Sequence, residues 1–236
     1  MKIQFIGLIR VACTLAVACL SSAGIQSCCG CSSDDFTKGE VSVIREFSSG
    51  KSVPGTPEGT MRVLTIADSC DNALLRRKSS DLSAKALLSE DYAALERLMV
   101  TTVTHPSQDG VGIAGPQVGL NRRVVAVQRF DKEGEPFEVY PNVSIVWMSD
   151  SLAYGPEGCL SVPDRRGDVL RSQEIVIEYA DLEQIRSGIL SRPLKHESEG
   201  HETTLPTRRD TIKGFTAVIF QHEIDHLDGI LYIDRL

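Results

Sequence analysis

The sequence predicts an α+β fold. Strands precede, separate and follow a small number of helices, and the strand–helix–strand alternation that builds a doubly wound parallel sheet is absent. The elements follow in order. Ser89 begins a helix: its hydroxyl can cap the first turn, and Glu90 and Asp91 sit at the positive end of the helix dipole. Tyr92, Leu95, Leu98, Met99 and Val103 then give an apolar stripe at helical spacing. His105-Pro106 stops it, because the residue before a proline avoids the helical region. Within 123–130, the run Val124-Val125-Ala126-Val127 reads as a buried strand, and 137–148 is β-rich. In 174–179, Ile175, Ile177 and Tyr179 fall on one face, as a half-buried strand requires. A last helix covers about 215–227 and is closed by Gly229.

Composition narrows the function classes. The chain has 236 residues, 24% charged and 42% hydrophobic, which excludes disordered, collagen-like and coiled-coil chains. Its net charge is −7, so no basic excess exists to attract a polyanion, and no nucleic-acid partner is expected. Of seven cysteines, Cys13, Cys19, Cys28, Cys29 and Cys31 crowd the N-terminus, leaving only Cys70 and Cys159 in the rest. A disulfide scaffold would spread its cysteines through the fold.

Residues 1–27 have the layout of a signal peptide. Lys2 and Arg10 are basic with no acid nearby, 11–20 is a short apolar run, and small residues follow. The run is too short to span a bilayer, which takes about 20 residues. Ile25-Gln26-Ser27-Cys28 resembles a bacterial lipoprotein box, which implies a lipid anchor on Cys28; Gln26 departs from the usual small residue. Residues 28–60 then read as a flexible tether, Gly-, Ser-, Pro- and Thr-rich toward its end, and 61–236 as the folded domain. The alternative is a cytoplasmic form that starts at Met61.

The chemistry is carried by Gln221-His222-Glu223-Ile224-Asp225-His226. His222 and His226 are four apart on a helix, so both rings leave one face and can bind one metal ion. Glu223 lies beside the first ligand, where a carboxylate can take the proton of a metal-bound water. A catalytic site needs a third protein ligand. The chain ends ten residues after His226, and Tyr232 stands where one downstream ligand pattern would need histidine, so the third ligand comes from upstream. His105, His196 and His201 are candidates, and Cys159 in Glu157-Gly158-Cys159-Leu160-Ser161 is the best, a thiolate being a strong ligand for a borderline metal. Asp225 either orients a ligand or is a helix-surface acid. The segment Gly110-Val111-Gly112-Ile113-Ala114-Gly115-Pro116-Gln117 opens no helix and lacks a Lys-Ser/Thr pair, which argues against a phosphate loop. It can offer backbone groups to an extended peptide and a side-chain amide to polarise a carbonyl.

These three segments, in this order, resemble those of peptide deformylases, whose patterns are G-x-G-x-A-A-x-Q, E-G-C-L-S and Q-H-E-x-D-H-L-x-G. The last two are matched throughout; the first departs at Gly115, where the family has alanine. The resemblance runs from about Val63 to Leu236. It implies an α+β fold with the Q-H-E-x-D-H helix central among antiparallel strands, one divalent metal ion, usually Fe2+ (Zn2+, Ni2+ or Co2+ being alternatives), and removal of the formyl group from N-formylmethionyl peptides. Carried over by residue, it implies that Cys159, His222 and His226 hold the metal. Glu223 then moves the water's proton to the leaving amine, and the Gln117 amide and the Leu160 backbone N–H stabilise the oxyanion. Gly112 pairs with the peptide, and Ile224 lines a methionine pocket. A related metallohydrolase acting on another N-acyl group or peptide is the competing reading. Two further departures lie away from the chemical residues: Tyr140-Pro141-Asn142-Val143 replaces the family's N-P-x-I, and a charged, Thr-rich stretch, 192–213, reads as an exposed loop.

Overall fold

Val124-Val125-Ala126-Val127 is apolar at every position because its strand is covered on both faces. The computed structural model, which describes residues 35–50, 56–190 and 205–236, places this run in β2 (Val124–Gln128). β2 is the middle strand of an antiparallel sheet with β1 (Gly112–Ala114) and β3 (Phe137–Pro141). Val124 and Ala126 enter one core cluster with α4 (Glu90–Thr104); Val125 and Val127 enter a second with α6 (Gly214–Leu227). The sheet is therefore a partition between two helices, and α6 lies directly behind it.

Sequence expectations for these elements hold. Ser89 caps α4, its hydroxyl accepting from the Tyr92 N–H, and the helix ends at His105. The β-rich stretch 137–148 is two strands, β3 and β4 (Ser144–Met148), parted at Asn142, which adopts φ 51°. Asparagine tolerates that left-handed conformation, and its side chain joins the Leu82 N–H and C=O. A second sheet has the order β4-β7-β8, with β7 (Glu174–Ala180) and β8 (Thr207–Lys213). Ile175 and Ile177 are fully buried against Ala217, Phe220 and Ile224 of α6. The third sheet is a hairpin of β5 (Leu152–Cys159) and β6 (Val162–Ser172). Three further helices are α2 (Ser69–Leu75), α3 (Ala84–Leu87) and α5 (Leu182–Leu190). None of the helices among the described residues is long and apolar enough to cross a membrane.

Two expectations are corrected. The tether assigned to 28–60 contains a folded helix, α1 (Lys38–Ser48), with a Thr37/Glu40 capping box and Ile44 fully buried in the α4 cluster. The Gly/Ser/Pro/Thr composition that suggested a tether belongs to 49–60, whereas 38–48 carries Val41, Val43, Ile44 and Phe47 at helical spacing. Residues 1–34 and 51–55, which include the signal segment and Cys28, lie outside the described residues. The exposed loop expected over 192–213 ends in β8, which pairs with β7 along its whole length. Most of its charges face out from a sheet edge, with Arg209 bonded to Glu178 at 2.7 Å; Asp210 bonds the buried Arg129 at 2.9 Å, and Ile212 alone is buried in the core. One buried residue in seven leaves no periodic signal. Residues 191–204 lie outside the described residues.

Candidate metal centre and active-site cleft

Helix α6 presents His222 and His226 on the face turned toward β5, their ring centroids 5.1 Å apart. β5 delivers the third donor through a register irregularity between Gly158 and Cys159, which aims the thiol toward the helix. Cys159 Sγ lies 3.2 Å from His226 Nε2, and one donor atom from each of Cys159, His222 and His226 falls within 4.8 Å of the others. Among the described residues these are the side chains grouped for a metal ion. His105 instead caps α4, its ring bonded to Ser107, and His196 and His201 lie outside the described residues.

A cleft of about 830 Å³ opens beside these donors, and Gly112, Gln117, Cys159, Leu160, His222 and Glu223 all line it. β1 supplies Gly112, and the 3-10 turn Gly115–Val118 supplies Gln117. The Ala114 N–H donates to Gln117 Oε1 at 2.8 Å, which frees the amide nitrogen to point to Ser161 Oγ at 3.3 Å and Cys159 Sγ at 3.6 Å. Ile224 does not line the cleft. It follows His222 by two positions, so it projects from the opposite side of α6 into the core. Val218 and Ile219, one turn before His222, are the apolar residues of α6 that do line it, with Phe215 at the mouth.

Glu223 is the informative group. It is buried, and its Oε2 has no hydrogen-bond partner among the described residues. Burial pushes its carboxyl up to about 7. A carboxylate left unpaired beside a soft thiol and two imidazoles is unstable unless a cation and its water complete the site. The Cys-His-His set suits a borderline divalent metal, and the residues present fit one.

Glu157 and Arg171 take roles that local sequence does not disclose. Glu157 Oε2 lies 2.7 Å from His222 Nδ1, so it fixes the ring's orientation. Against the cost of burial, His222 and Arg171 hold the Glu157 carboxyl down at about 2. Arg171 grips Glu157 through two nitrogens, at 2.7 and 3.0 Å, and reaches Asp225 Oδ2 at 2.7 Å. Asp225 is therefore no surface acid. It anchors the far end of a buried chain, Asp225–Arg171–Glu157–His222, and also binds Arg235. Glu157 lies in the E-G-C-L-S segment, but Arg171 is twelve residues from Cys159 and carries no local signal.

Gly112 is glycine for a reason visible here: a Cβ built there would lie 2.5 Å from Glu223 Oε1. Gly112→Ala is expected to push the carboxylate out of place and lower activity per bound metal by roughly 100-fold, the scale of a 1 Å misplacement. Gly155→Ala on β5, with open space around it, should be neutral. Steady-state rates normalised to metal content check both, and a near-normal Gly112→Ala would contradict the close packing.

A Cys-His-His donor set beside a buried carboxylate, in a cleft behind a mixed helix and sheet core, defines a mononuclear metallohydrolase. Residues 63–236 match the polypeptide deformylase family. The chain belongs to the peptide deformylase family. It is 33% identical over 172 residues to the peptide deformylase of Leptospira biflexa, covering 70% of this chain and 83% of that protein. It is 36% identical over 165 residues to peptide deformylase 2 of Gloeobacter violaceus, covering 69% and 74%. Among solved structures, the class I type b peptide deformylase of Acinetobacter baumannii bound to Met-Ala-Ser superposes with a TM-score of 0.59 at 30% identity, over 75% of this chain and 98% of that one. The peptide deformylase of Thermotoga maritima gives 0.58 at 25% identity, over 75% and 97%. The enzyme is a metal-dependent hydrolase that removes N-formyl groups from peptides.

Proposed function

We propose that Cys159, His222 and His226 hold one Fe2+, that Glu223 moves the proton, and that the enzyme acts on N-formylmethionyl peptides outside the cytoplasm, anchored to the membrane. The observation that carries the chemistry is the buried, unpartnered Glu223 Oε2 beside the donor set. A divalent ion bound there supplies Lewis-acid activation of water and of the formyl oxygen. Glu223 accepts the proton of the attacking water and returns it to the nitrogen of the breaking formamide C–N bond, so that formate and a free amine leave. The Gln117 amide and the Leu160 backbone N–H donate to the oxygen that gathers charge. β1 pairs with β2 on one side only, and its other edge at Gly112 accepts the peptide as an added strand. Val218 and Ile219 line the methionine pocket. The Met-Ala-Ser tripeptide bound by the Acinetobacter relative begins with the deformylated methionine such a reaction would leave.

The location rests on the basic start, the 11–20 apolar run and Cys28. Helix α1 supports a start upstream of Met61: a chain beginning there would lose Ile44 from the core and Glu40 from Arg122. From a lipidated Cys28 to Asp35, about seven residues reach at most roughly 25 Å fully extended, so the domain would work close to the bilayer. Two measurements test this reading. Protein loaded separately with Fe2+, Ni2+ or Zn2+ should deformylate formyl-Met peptides and spare acetyl-Met peptides, with the Fe2+ form inactivated by peroxide. N-terminal mass spectrometry of native protein should find a lipidated Cys28, and Cys28→Ala should release the enzyme from membranes. Soluble protein starting at Met61 would refute the anchored location and leave the chemistry standing.

A further inference from the structure

Helix α1 lies before residue 63, where the family match begins, yet it is bonded to the loop that carries Gln117. Its Glu40 carboxylate accepts from Arg122 Nε and Nη2, both at 2.8 Å. Arg122 Nη2 also donates to the Asp35 carbonyl at 2.6 Å, and Nη1 to Ser80 Oγ at 2.9 Å. The Arg122 side chain is 4% exposed, so the position of this charge is fixed by the acid that α1 brings to it.

Arg122 is joined to the active-site turn through its backbone. A Cβ built on Gly115 would lie 2.6 Å from the Arg122 carbonyl oxygen and 2.7 Å from that of Leu120. The 120–122 segment is thus pressed onto Gly115, the residue that opens the Gly115–Val118 turn. This is the position where the family pattern has alanine, which the close approach seen here would not admit. Ile44 of α1 enters the same apolar cluster as Val118 and Leu120, on either side of that contact, and as Ile113 of β1. The charge contact from α1 therefore reaches the segment that follows the turn setting Gln117, and its apolar residue Ile44 joins the cluster that contains Val118 of that turn.

We propose that α1 is a clamp on the catalytic turn and that Glu40 is a positioning residue. Through Arg122 it holds the 120–122 segment against Gly115, and so holds the Gln117 amide at the metal centre. This rests on the oxyanion role given to Gln117 above. The helix that carries Glu40 lies before the family match at 63–236, whereas Arg122 and the turn it reaches lie inside it.

The test is a double-mutant cycle on the full-length, metal-loaded enzyme with a formyl-Met peptide. Glu40→Ala should lower kcat by roughly tenfold or more, with KM and metal content unchanged, since small displacements of a positioned group cost rate steeply. Gln117→Ala should lower kcat by roughly 10²-fold or more. Adding Glu40→Ala to Gln117→Ala should cost nothing further, because the first acts through the second. A merely structural α1 would lower Tm, and its effect on kcat would be absent or additive; either result overturns the clamp. Should Glu40→Ala fail to fold, Glu40→Gln, which keeps size and loses charge, is read in the same way. A silent Gln117→Ala would overturn the oxyanion role and the clamp with it. A damaging Gln117→Ala beside a silent Glu40→Ala would overturn the clamp alone.

Discussion

Glu223→Gln is expected to keep one metal ion per chain and to lose deformylation by about 10²–10⁴-fold, the range for removing a general acid–base. The carboxylate lines the cleft but is not among the three donors, so its loss leaves the ligand set intact. Glutamine has the same length and fits the same pocket, but its amide cannot accept and return a proton. The variant also replaces a buried carboxylate, raised to about 7 by desolvation, with a neutral group. Its stability should therefore be equal to or above that of the parent, a direction opposite to most active-site damage. Metal analysis, steady-state rates and thermal melts together check this. A variant that lost its metal would show that Glu223 is a ligand, and near-normal rates would remove it from the chemistry.

Arg171→Met should be the most damaging substitution outside the cleft. Arg171 is buried between Glu157 and Asp225, and removing it leaves the buried Glu157 carboxylate without its arginine, with only His222 beside it, while Asp225 keeps Arg235. Breaking a buried pair by removing one partner costs about 3–5 kcal/mol. Glu157 would also lose the grip that aims it at His222, and metal affinity should fall roughly 10- to 100-fold, as for other groups that orient a ligand. The same network gives the protein a sign-defined response to acid. Glu157 titrates at about 2 in the fold, below its ordinary value of 4.5. Its contribution is therefore present above about 4.5 and is lost as pH falls from there toward about 2. Denaturant titrations of parent and variant across that window, with metal competition at neutral pH, measure both effects. Wild-type metal affinity in Arg171→Met would break the link between the network and His222.

The metal helix was legible because its information is local. Two histidines four residues apart share a helix face whatever surrounds them, and the carboxylate between them is carried along. Cys159 was reachable by the shortage of one ligand. Helix α4 was legible from its cap, stripe and stop, and β2 from an unbroken apolar run. The same locality explains Ile224. Adjacency to the motif suggested the cleft, but a 100° turn per residue carries that side chain to the opposite face of α6, where Phe220 and Leu227 pack with it.

By itself, then, the sequence determined the fold class, the helix that holds two ligands, the third ligand and the family resemblance, all of which depend on spacing along one chain segment or on matched motifs. Only the tertiary structure decided that Asp225 is the buried end of a relay, that Arg171 is its middle, and that Gly112 exists to make room for Glu223. It also decided that 38–48 is part of the folded domain and that 207–213 is a strand. The physical reason is common to all of these. Each depends on groups brought together from segments far apart in sequence: Arg171 meets Asp225 across 54 residues, and Arg122 meets Glu40 across 82. A buried charge finds its partner through folding, so neither spacing nor composition around either residue discloses the pair.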